Sequence, residues 1–148
     1  NGSRATSKTK RMAVERGYGT ANLELSAYAT YSGRSVSIDG DAYLDFWGLN
    51  TSVDEKETKV IKRTGSGNNY AKAGTTGTVS TTEPATGVFF TKKFNFEMWL
   101  DPANSDTAII NVVIPVISTV LDFIIKILII VFLMELIIAV RKRNESNK

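Results

Sequence analysis

The chain has 148 residues, with 18 basic and 15 acidic side chains, and it contains neither Cys nor His. Without Cys there are no disulfides and no thiolate metal ligands. Without His the chain lacks the commonest general base near neutral pH and the commonest zinc ligand. We therefore expect no enzymatic activity, no catalytic residue, no metal site and no cofactor.

Charge is distributed unevenly along the chain. Residues 1–16 carry five basic side chains and one acidic side chain, whereas residues 17–107 carry eight basic and eleven acidic ones. Arg141, Lys142 and Arg143 begin the C-terminal segment 141–148. This pattern predicts a mildly acidic body between a basic arm and a basic tail, unlike the uniformly basic surface typical of nucleic-acid-binding proteins. Only the basic tail suits contact with nucleic acid.

The first half of the body shows the alternation typical of half-buried strands. Residues 1–11 are predicted to be a basic polar arm, and residues 12–101 a β-domain. A strand is predicted at 22–31, with one apolar face formed by Leu23, Leu25, Ala27, Ala29 and Tyr31. A short strand at 35–38 is followed by Asp39-Gly40, which predicts a tight hairpin turn because both residues tolerate positive φ. The returning strand places Ala42, Leu44 and Phe46 on one face.

The second half of the body is predicted to continue this pattern. A strand is expected at 58–63, whereas the Gly, Ser, Thr and Asn composition of residues 64–78 predicts a long loop. A final hairpin is predicted to turn at Lys92-Lys93, and its second strand has an apolar face of Phe94, Phe96, Met98 and Leu100. About six to eight short strands separated by turns indicate a small antiparallel β-sandwich or barrel. The predicted fold is mainly β, followed by one long C-terminal hydrophobic α-helix.

The aliphatic stretch 109–140 is predicted to be a transmembrane or assembly helix, joined to the β-domain by a linker at 102–108. From Pro115 to Val140 a helix would rise about 39 Å, enough to cross a hydrocarbon core of roughly 30 Å. Pro115 predicts a kink or the start of the regular helix. The adjoining basic tail predicts a cytoplasmic or interior C-terminus and an extracytoplasmic β-domain. The alternative is a tail-anchored protein whose β-domain lies inside.

Three ionisable side chains interrupt the aliphatic stretch: Asp122, Lys126 and Glu135. Asp122 and Lys126 are four residues apart, in the order that favours an intrahelical ion pair. Lys126 and Glu135 differ by about half a turn at 100° per residue, so they lie on opposite faces. Either these charges are satisfied locally, or Lys126 pairs with Glu135 of a copy displaced by about 13 Å along the axis. The sequence leaves both interpretations open.

Three further groups of side chains have weaker signals. Asp39, Asp41 and Asp45 resemble calcium ligands in type, but their spacing does not complete an EF-hand loop, so a solvated turn is the better interpretation. Acidic residues at 54–57 lie among the basic side chains of the β-domain and predict a mixed surface; these basic side chains are Lys59, Lys62, Arg63, Lys92 and Lys93. Aromatic residues that suit a carbohydrate face also suit packing within a sheet; they are Tyr28, Tyr31, Tyr43, Trp47 and Trp99.

Together these features predict a non-enzymatic structural subunit on a membrane. Its β-domain would be anchored by the hydrophobic helix, through which copies self-assemble into a viral envelope, a coat or a surface filament. The expected partners are membrane lipid, copies of the same chain and other membrane subunits. Two alternatives are a single-span accessory subunit of a larger membrane complex, and a cell-surface adhesin or binding module.

Overall fold

The computed structural model describes residues 6–114 and 116–147, and for residues 116–119 it describes the backbone only. The chain divides into two compact units, Asn1–Val113 and Ile114–Lys148. The described part contains eight strands and one helix. These are β1 (Lys8–Tyr18), β2 (Ala21–Ser32), β3 (Ser35–Trp47), β4 (Ser52–Lys62), β5 (Thr64–Ser66), β6 (Ala71–Thr82), β7 (Phe89–Leu100), β8 (Ile109–Val112) and α1 (Val116–Ser146).

The strands form two four-stranded sheets, and every neighbouring pair is antiparallel. The first sheet has the order β1-β2-β3-β5, and the second has the order β4-β6-β7-β8. Buried apolar side chains from both sheets form one core between them. The predicted fold, an antiparallel β-sandwich followed by a C-terminal helix, is therefore confirmed.

The core follows the alternation of the sequence. The predicted apolar faces of β2 and β7 are buried, and Leu23, Leu25, Phe96, Met98 and Leu100 have no exposed surface. Full burial of each such side chain stabilises the fold by about 1.5–3 kcal/mol. On β3, Ala42 and Leu44 are buried as predicted. Phe46 is 38% exposed at the end of that strand, where the Lys56 ammonium lies 5.8 Å from its ring centroid.

The predicted hairpin at Asp39-Gly40 is wrong, because β3 continues through these residues. Tyr28 pairs with Asp39 and Ser26 with Tyr43, so residues 40–42 bulge opposite a single residue of β2. Gly40 has a φ of 67° and absorbs the distortion without reversing the chain. The Arg63 guanidinium donates to the carbonyl oxygens of Ile38 and Gly40, at 2.8 and 2.9 Å, and stabilises the bulge from the neighbouring chain segment.

The predicted loop at 64–78 is also wrong, since β5 and most of β6 lie there. A Cβ atom added at Gly74 would lie 2.6 Å from Cδ1 of Ile61, and one added at Gly77 would lie 2.7 Å from Cζ of Phe94. The two glycines therefore leave room for neighbouring side chains on a central strand. Their presence reflects close packing and does not indicate a loop.

The predicted turn at Lys92-Lys93 is wrong as well. β7 is continuous and pairs with β6 from Thr82 opposite Phe89 to Ala71 opposite Leu100. The chain turns instead between β6 and β7, where the Glu83 carboxylate accepts hydrogen bonds from the backbone N–H and the hydroxyl of Thr86, at 2.7 and 2.8 Å. Backbone donation from Ala85 and these Thr86 bonds hold the pKa of Glu83 below its usual range.

The boundaries of the arm and of the helix differ from those predicted. Residues 8–11 of the predicted arm belong to β1, because their backbone pairs with β2 from Lys8 opposite Tyr31 onward. Residues 109–112 of the predicted helix form β8, whose Ile109 and Val112 pair with Trp99 and Phe96 of β7. The helix begins at Val116 and continues through most of the predicted tail to Ser146. The kink predicted at Pro115 lies outside the described residues.

Candidate assembly and contact surfaces

The helix α1 is hydrophobic on all sides. It has 31 residues and therefore rises about 46 Å. Its segment Val120–Ser146 is long and apolar enough to cross a membrane. All side chains that the structure describes on α1, from residue 120 onward, are exposed, so no apolar stripe distinguishes one face from another. Such a helix suits a lipid environment or the centre of a helical assembly.

The three predicted charges of α1 lie on its exposed surface. Among the described residues, the ion pairs within 4.0 Å are Lys10–Asp106, Arg11–Glu24 and Lys59–Glu57. The four-residue spacing of Asp122 and Lys126 is thus not accompanied by an ion pair in the single chain. Lys126 and Glu135 lie about 13 Å apart along the axis and about half a turn around it. Lys126 and Glu135 therefore do not pair with each other within one straight helix.

The basic residues after Val140 continue α1. Arg141, Lys142 and Arg143 are exposed in its last turns, and the Ser146 hydroxyl donates to the Arg143 carbonyl oxygen at 2.9 Å. Cations are favourable there because carbonyl groups give a helix C-terminus a partial negative charge. The same cations are the type that collects on the cytoplasmic side of membrane spans.

The five aromatic residues singled out in the sequence do not share one surface. Tyr31 lies in the core, and Trp99 lies on the second sheet with its ring 5.6 Å from that of Tyr70. Tyr28, Tyr43 and Trp47 lie on β2 and β3 with 54%, 56% and 45% of their surface exposed. These three residues form the aromatic part of the outer face of the first sheet.

Carboxylates lie beside these aromatic residues. Glu15 pairs with Glu24 across β1 and β2, and Glu24 pairs with Asp45 across β2 and β3. Like charges directly opposite one another destabilise a sheet. The Arg11 guanidinium offsets this by an ion pair with Glu24, which raises the pKa of Arg11.

The predicted acidic cluster around Asp39 offers no metal site in the described chain. The Asp39 carboxylate accepts a hydrogen bond from the Thr30 hydroxyl at 2.6 Å. No group of three or more carboxylates in residues 6–114 and 116–147 has the arrangement that a metal ion needs. The calcium interpretation of Asp39, Asp41 and Asp45 thus gains no support.

Arg63, Lys59 and Lys92 of the β-domain contact different groups. Arg63 stabilises the β3 bulge, and Lys59 forms an ion pair with Glu57 at 3.8 Å. Lys92 lies on β7, where its ammonium is 5.6 Å from the centroid of the Tyr18 ring. A mixed surface is the better description of these residues.

The edges of the two sheets differ in a way that the sequence did not reveal. Strands at the edge of a sheet are normally protected by charges, bulges or short length, because their unpaired backbone groups can add another strand. β5 has three residues, β1 carries several charges, and β4 carries charges and two register shifts. β8 has no charge, and Ile109, Ile110 and Val112 are 43%, 38% and 36% exposed.

The one feature of the sequence that could have indicated β8 was Asn111, the single polar residue in the run Ile109-Ile-Asn-Val-Val-Ile114. A lone polar side chain in an aliphatic run does not by itself separate a strand from a helix.

No protein-family model, no curated protein and no solved structure matches this chain.

Proposed function

We propose that this chain is a non-enzymatic structural subunit that is anchored in a membrane by α1 and self-assembles through that helix. The β-sandwich would lie outside and the basic end of α1 inside, and the assembly would be an envelope, a coat or a surface filament. The observation that supports this proposal most is α1 itself, which is apolar on every side yet carries Lys126 and Glu135 on opposite faces.

The charges of α1 favour assembly over simple anchoring. An ionisable side chain near the centre of a bilayer costs about 2.5–3.5 kcal/mol on the insertion scale, so it is normally directed at a partner. A neighbour displaced by about 13 Å brings its Glu135 to the level of Lys126. The same displacement repeats on the opposite face of the next copy, and contacts of this heterologous kind generate extended arrays.

Substitution of Glu135 tests the proposal. The full chain would be purified in a mild detergent, and its size distribution measured by sedimentation. We expect Glu135→Gln to reduce the fraction of large assemblies, and Glu145→Gln, the same chemical change near the end of α1, to leave it unchanged. Exchange of the two charges, Lys126→Glu with Glu135→Lys, should restore assembly. If Glu135→Gln assembles like the unsubstituted chain, the proposed role of α1 is wrong.

Orientation is tested separately on sealed membranes. Single cysteines at Thr76 and Ser146 would be labelled with a membrane-impermeant thiol reagent in intact cells, because the chain has no Cys of its own. We expect labelling at Thr76 and protection at Ser146. The reverse pattern would place the β-sandwich inside.

A second candidate function is a surface binding module, and the exposed aromatic residues of the first sheet favour it. Tyr28, Tyr43 and Trp47 offer ring faces of the kind that stack on sugars, beside the hydrogen-bonding carboxylates of Glu24 and Asp45. Screening the full chain against immobilised glycans tests this candidate. Binding that disappears in Tyr43→Ala and persists in Tyr70→Ala would support it.

A further inference from the structure

We propose that β8 pairs in antiparallel orientation with β8 of a second copy, with the two Asn111 residues opposite one another. The proposal rests on the proposed function, because association of the helices brings the copies together. It names a second contact in that assembly, formed between β-domains. Three features of β8 support it: the direction of its backbone groups, its lack of protection and the self-complementary order of its side chains.

The free edge of β8 is defined by its pairing with β7. The Val113 N–H donates to the Asn95 carbonyl oxygen at 3.0 Å, and Asn111 and Ile109 lie opposite Glu97 and Trp99. In an antiparallel pair, alternate residues direct both backbone groups toward the same neighbour. The backbone N–H and C=O groups of residues 109, 111 and 113 therefore point toward β7. The N–H and C=O groups of Ile110 and Val112 point away from β7, and no strand is hydrogen-bonded to β8 on that side in the described chain.

The contrast between β8 and β4 indicates that this edge has a partner. Both are edges of the second sheet, and β4 combines charged side chains with two interruptions of its register. β8 instead presents exposed isoleucine and valine beside unpaired backbone groups, and such an edge adds strands readily. Nothing on β8 complements a charged or flexible partner. Its aliphatic side chains do complement another uncharged apolar strand.

The order of side chains on β8 complements itself in one register. When Asn111 lies opposite Asn111 of the other copy, Ile110 lies opposite Val112, and Ile109 lies opposite Val113. Every aliphatic side chain then meets an aliphatic one, and amide meets amide. A shift that places Ile110 opposite Ile110 brings Asn111 against Ile109, and a shift to Val112 opposite Val112 brings Asn111 against Val113.

The backbone geometry selects the same register. Ile110 and Val112 become hydrogen-bonded pairs, so the two copies share four backbone hydrogen bonds around the symmetry axis. The two Asn111 residues form the intervening non-hydrogen-bonded pair, in which the Cα atoms approach to about 4.5 Å and the side chains are closest. The amides can then bond to each other.

The strand pair is too small to hold two copies together alone. Stable interfaces bury about 1,200–2,000 Å² in total, which is more than a few residues on each side provide. Association through α1 raises the effective concentration of neighbouring β8 strands, and this makes a weak contact form within the assembly. The contact is isologous, whereas the proposed helix contact is heterologous, so together they would cross-connect the array.

Cysteine cross-linking of the full chain in reconstituted vesicles tests the proposal. Asn111→Cys places two thiols in the closest pair, with a Cα separation that a disulfide can span. We expect rapid homodimer formation under mild oxidation. Lys59→Cys, on the β4 edge, is the collision control and should cross-link at least tenfold more slowly.

The register is tested by a second pair of variants. In the proposed register Ile109→Cys lies opposite Val113→Cys of the other copy, whereas two copies of either variant place their thiols about 13 Å apart. We expect a disulfide in the mixture of the two variants, and little in either variant by itself. Both variants keep Asn111, so this result does not depend on a substitution at that residue.

The outcomes separate this inference from the proposed function, because assembly of the unsubstituted chain is measured independently by sedimentation. If that chain assembles but Asn111→Cys and the Ile109→Cys/Val113→Cys mixture cross-link no faster than Lys59→Cys, the strand pairing is wrong and the proposed function stands. Homodimers through Ile110→Cys or Val112→Cys in place of Asn111→Cys would overturn the register. Specific cross-linking through Asn111→Cys with no larger assembly would support the strand pairing and overturn assembly through α1.

Discussion

Replacement of Tyr31 by Phe is expected to stabilise the β-sandwich. Tyr31 is 6% exposed, and its hydroxyl is buried with no hydrogen-bond partner among the described residues. A buried polar group without a partner costs about 1–3 kcal/mol, whereas the ring of Phe fills the same space. We therefore expect Tyr31→Phe to raise the free energy of unfolding by about 1 kcal/mol. For a domain of this size, that corresponds to a Tm increase of about 4 °C or more.

The stabilisation should grow at alkaline pH. Burial, with a smaller contribution from the Asp101 charge, raises the pKa of Tyr31 from its ordinary value of 10.0 to about 12. As the pH rises from about 10 toward about 12, this phenol ionises in the unfolded chain before it ionises in the folded one, and the folded state loses stability. Tyr31→Phe lacks this loss. The difference between the two proteins should therefore widen over that interval.

Tryptophan fluorescence measures these changes in the β-sandwich alone. Both Trp residues, Trp47 and Trp99, belong to its strands, so thermal and urea unfolding can be followed in detergent without a signal from α1. Tyr43→Phe removes an exposed hydroxyl and should change stability by no more than about 0.5 kcal/mol. A loss of about 1 kcal/mol or more in Tyr31→Phe would show that the hydroxyl is hydrogen-bonded, and would refute the reasoning.

Three further substitutions test the packing and are measured by urea unfolding. Gly65→Ala should cost about 1–3 kcal/mol, because the new Cβ would lie 2.3 Å from the backbone oxygen of Asn69. Gly17→Ala is its control, because a Cβ added at Gly17 would have its nearest neighbour, Oδ1 of Asn22, at 3.7 Å. Equal free energies of unfolding for the two variants would contradict the close approach of the Asn69 oxygen to Gly65. Phe96→Ala should cost about 3–5 kcal/mol because Phe96 is fully buried. Arg63→Met should cost about 2 kcal/mol by leaving the carbonyl oxygens of Ile38 and Gly40 without this donor, and an unchanged stability would contradict the stabilisation of the bulge by Arg63.

The sequence predicted the fold where burial has a simple period. The alternation around Leu23 and around Phe96 identified the buried faces of β2 and β7, because side chains of a strand point alternately to opposite sides. The helix α1 was predicted from the opposite pattern, since a long apolar stretch without polar alternation has few other structures available. These signals are local, so they could be recognised without knowledge of neighbouring strands.

Turns and loops were mispredicted where distant contacts decide the structure. Asp39-Gly40 suits a tight turn, yet it forms a bulge because β2 remains paired on both sides of it and Arg63 donates to the carbonyl oxygens of Ile38 and Gly40. Gly74 and Gly77 suit a loop, yet side chains from β4 and β7 occupy the space above them. Local propensity favoured the wrong answer at each position, and tertiary packing outweighed it.

The aliphatic run divides into β8 and α1 because the backbone groups of β7 require hydrogen-bond partners. If residues 109–112 were helical, the backbone groups that Glu97 and Trp99 direct toward β8 would lose their partners, and unpaired backbone groups beside a core are costly. Pairing with β7 therefore favours a strand there, although hydropathy alone favours a helix. The assignment of residues 109–112 to a strand also changes the role of Asn111 in the proposed assembly. As part of a helix, Asn111 would be a polar interruption of a membrane span, whereas on β8 it lies at the centre of a self-complementary edge, where a single amide can select the register of a second copy.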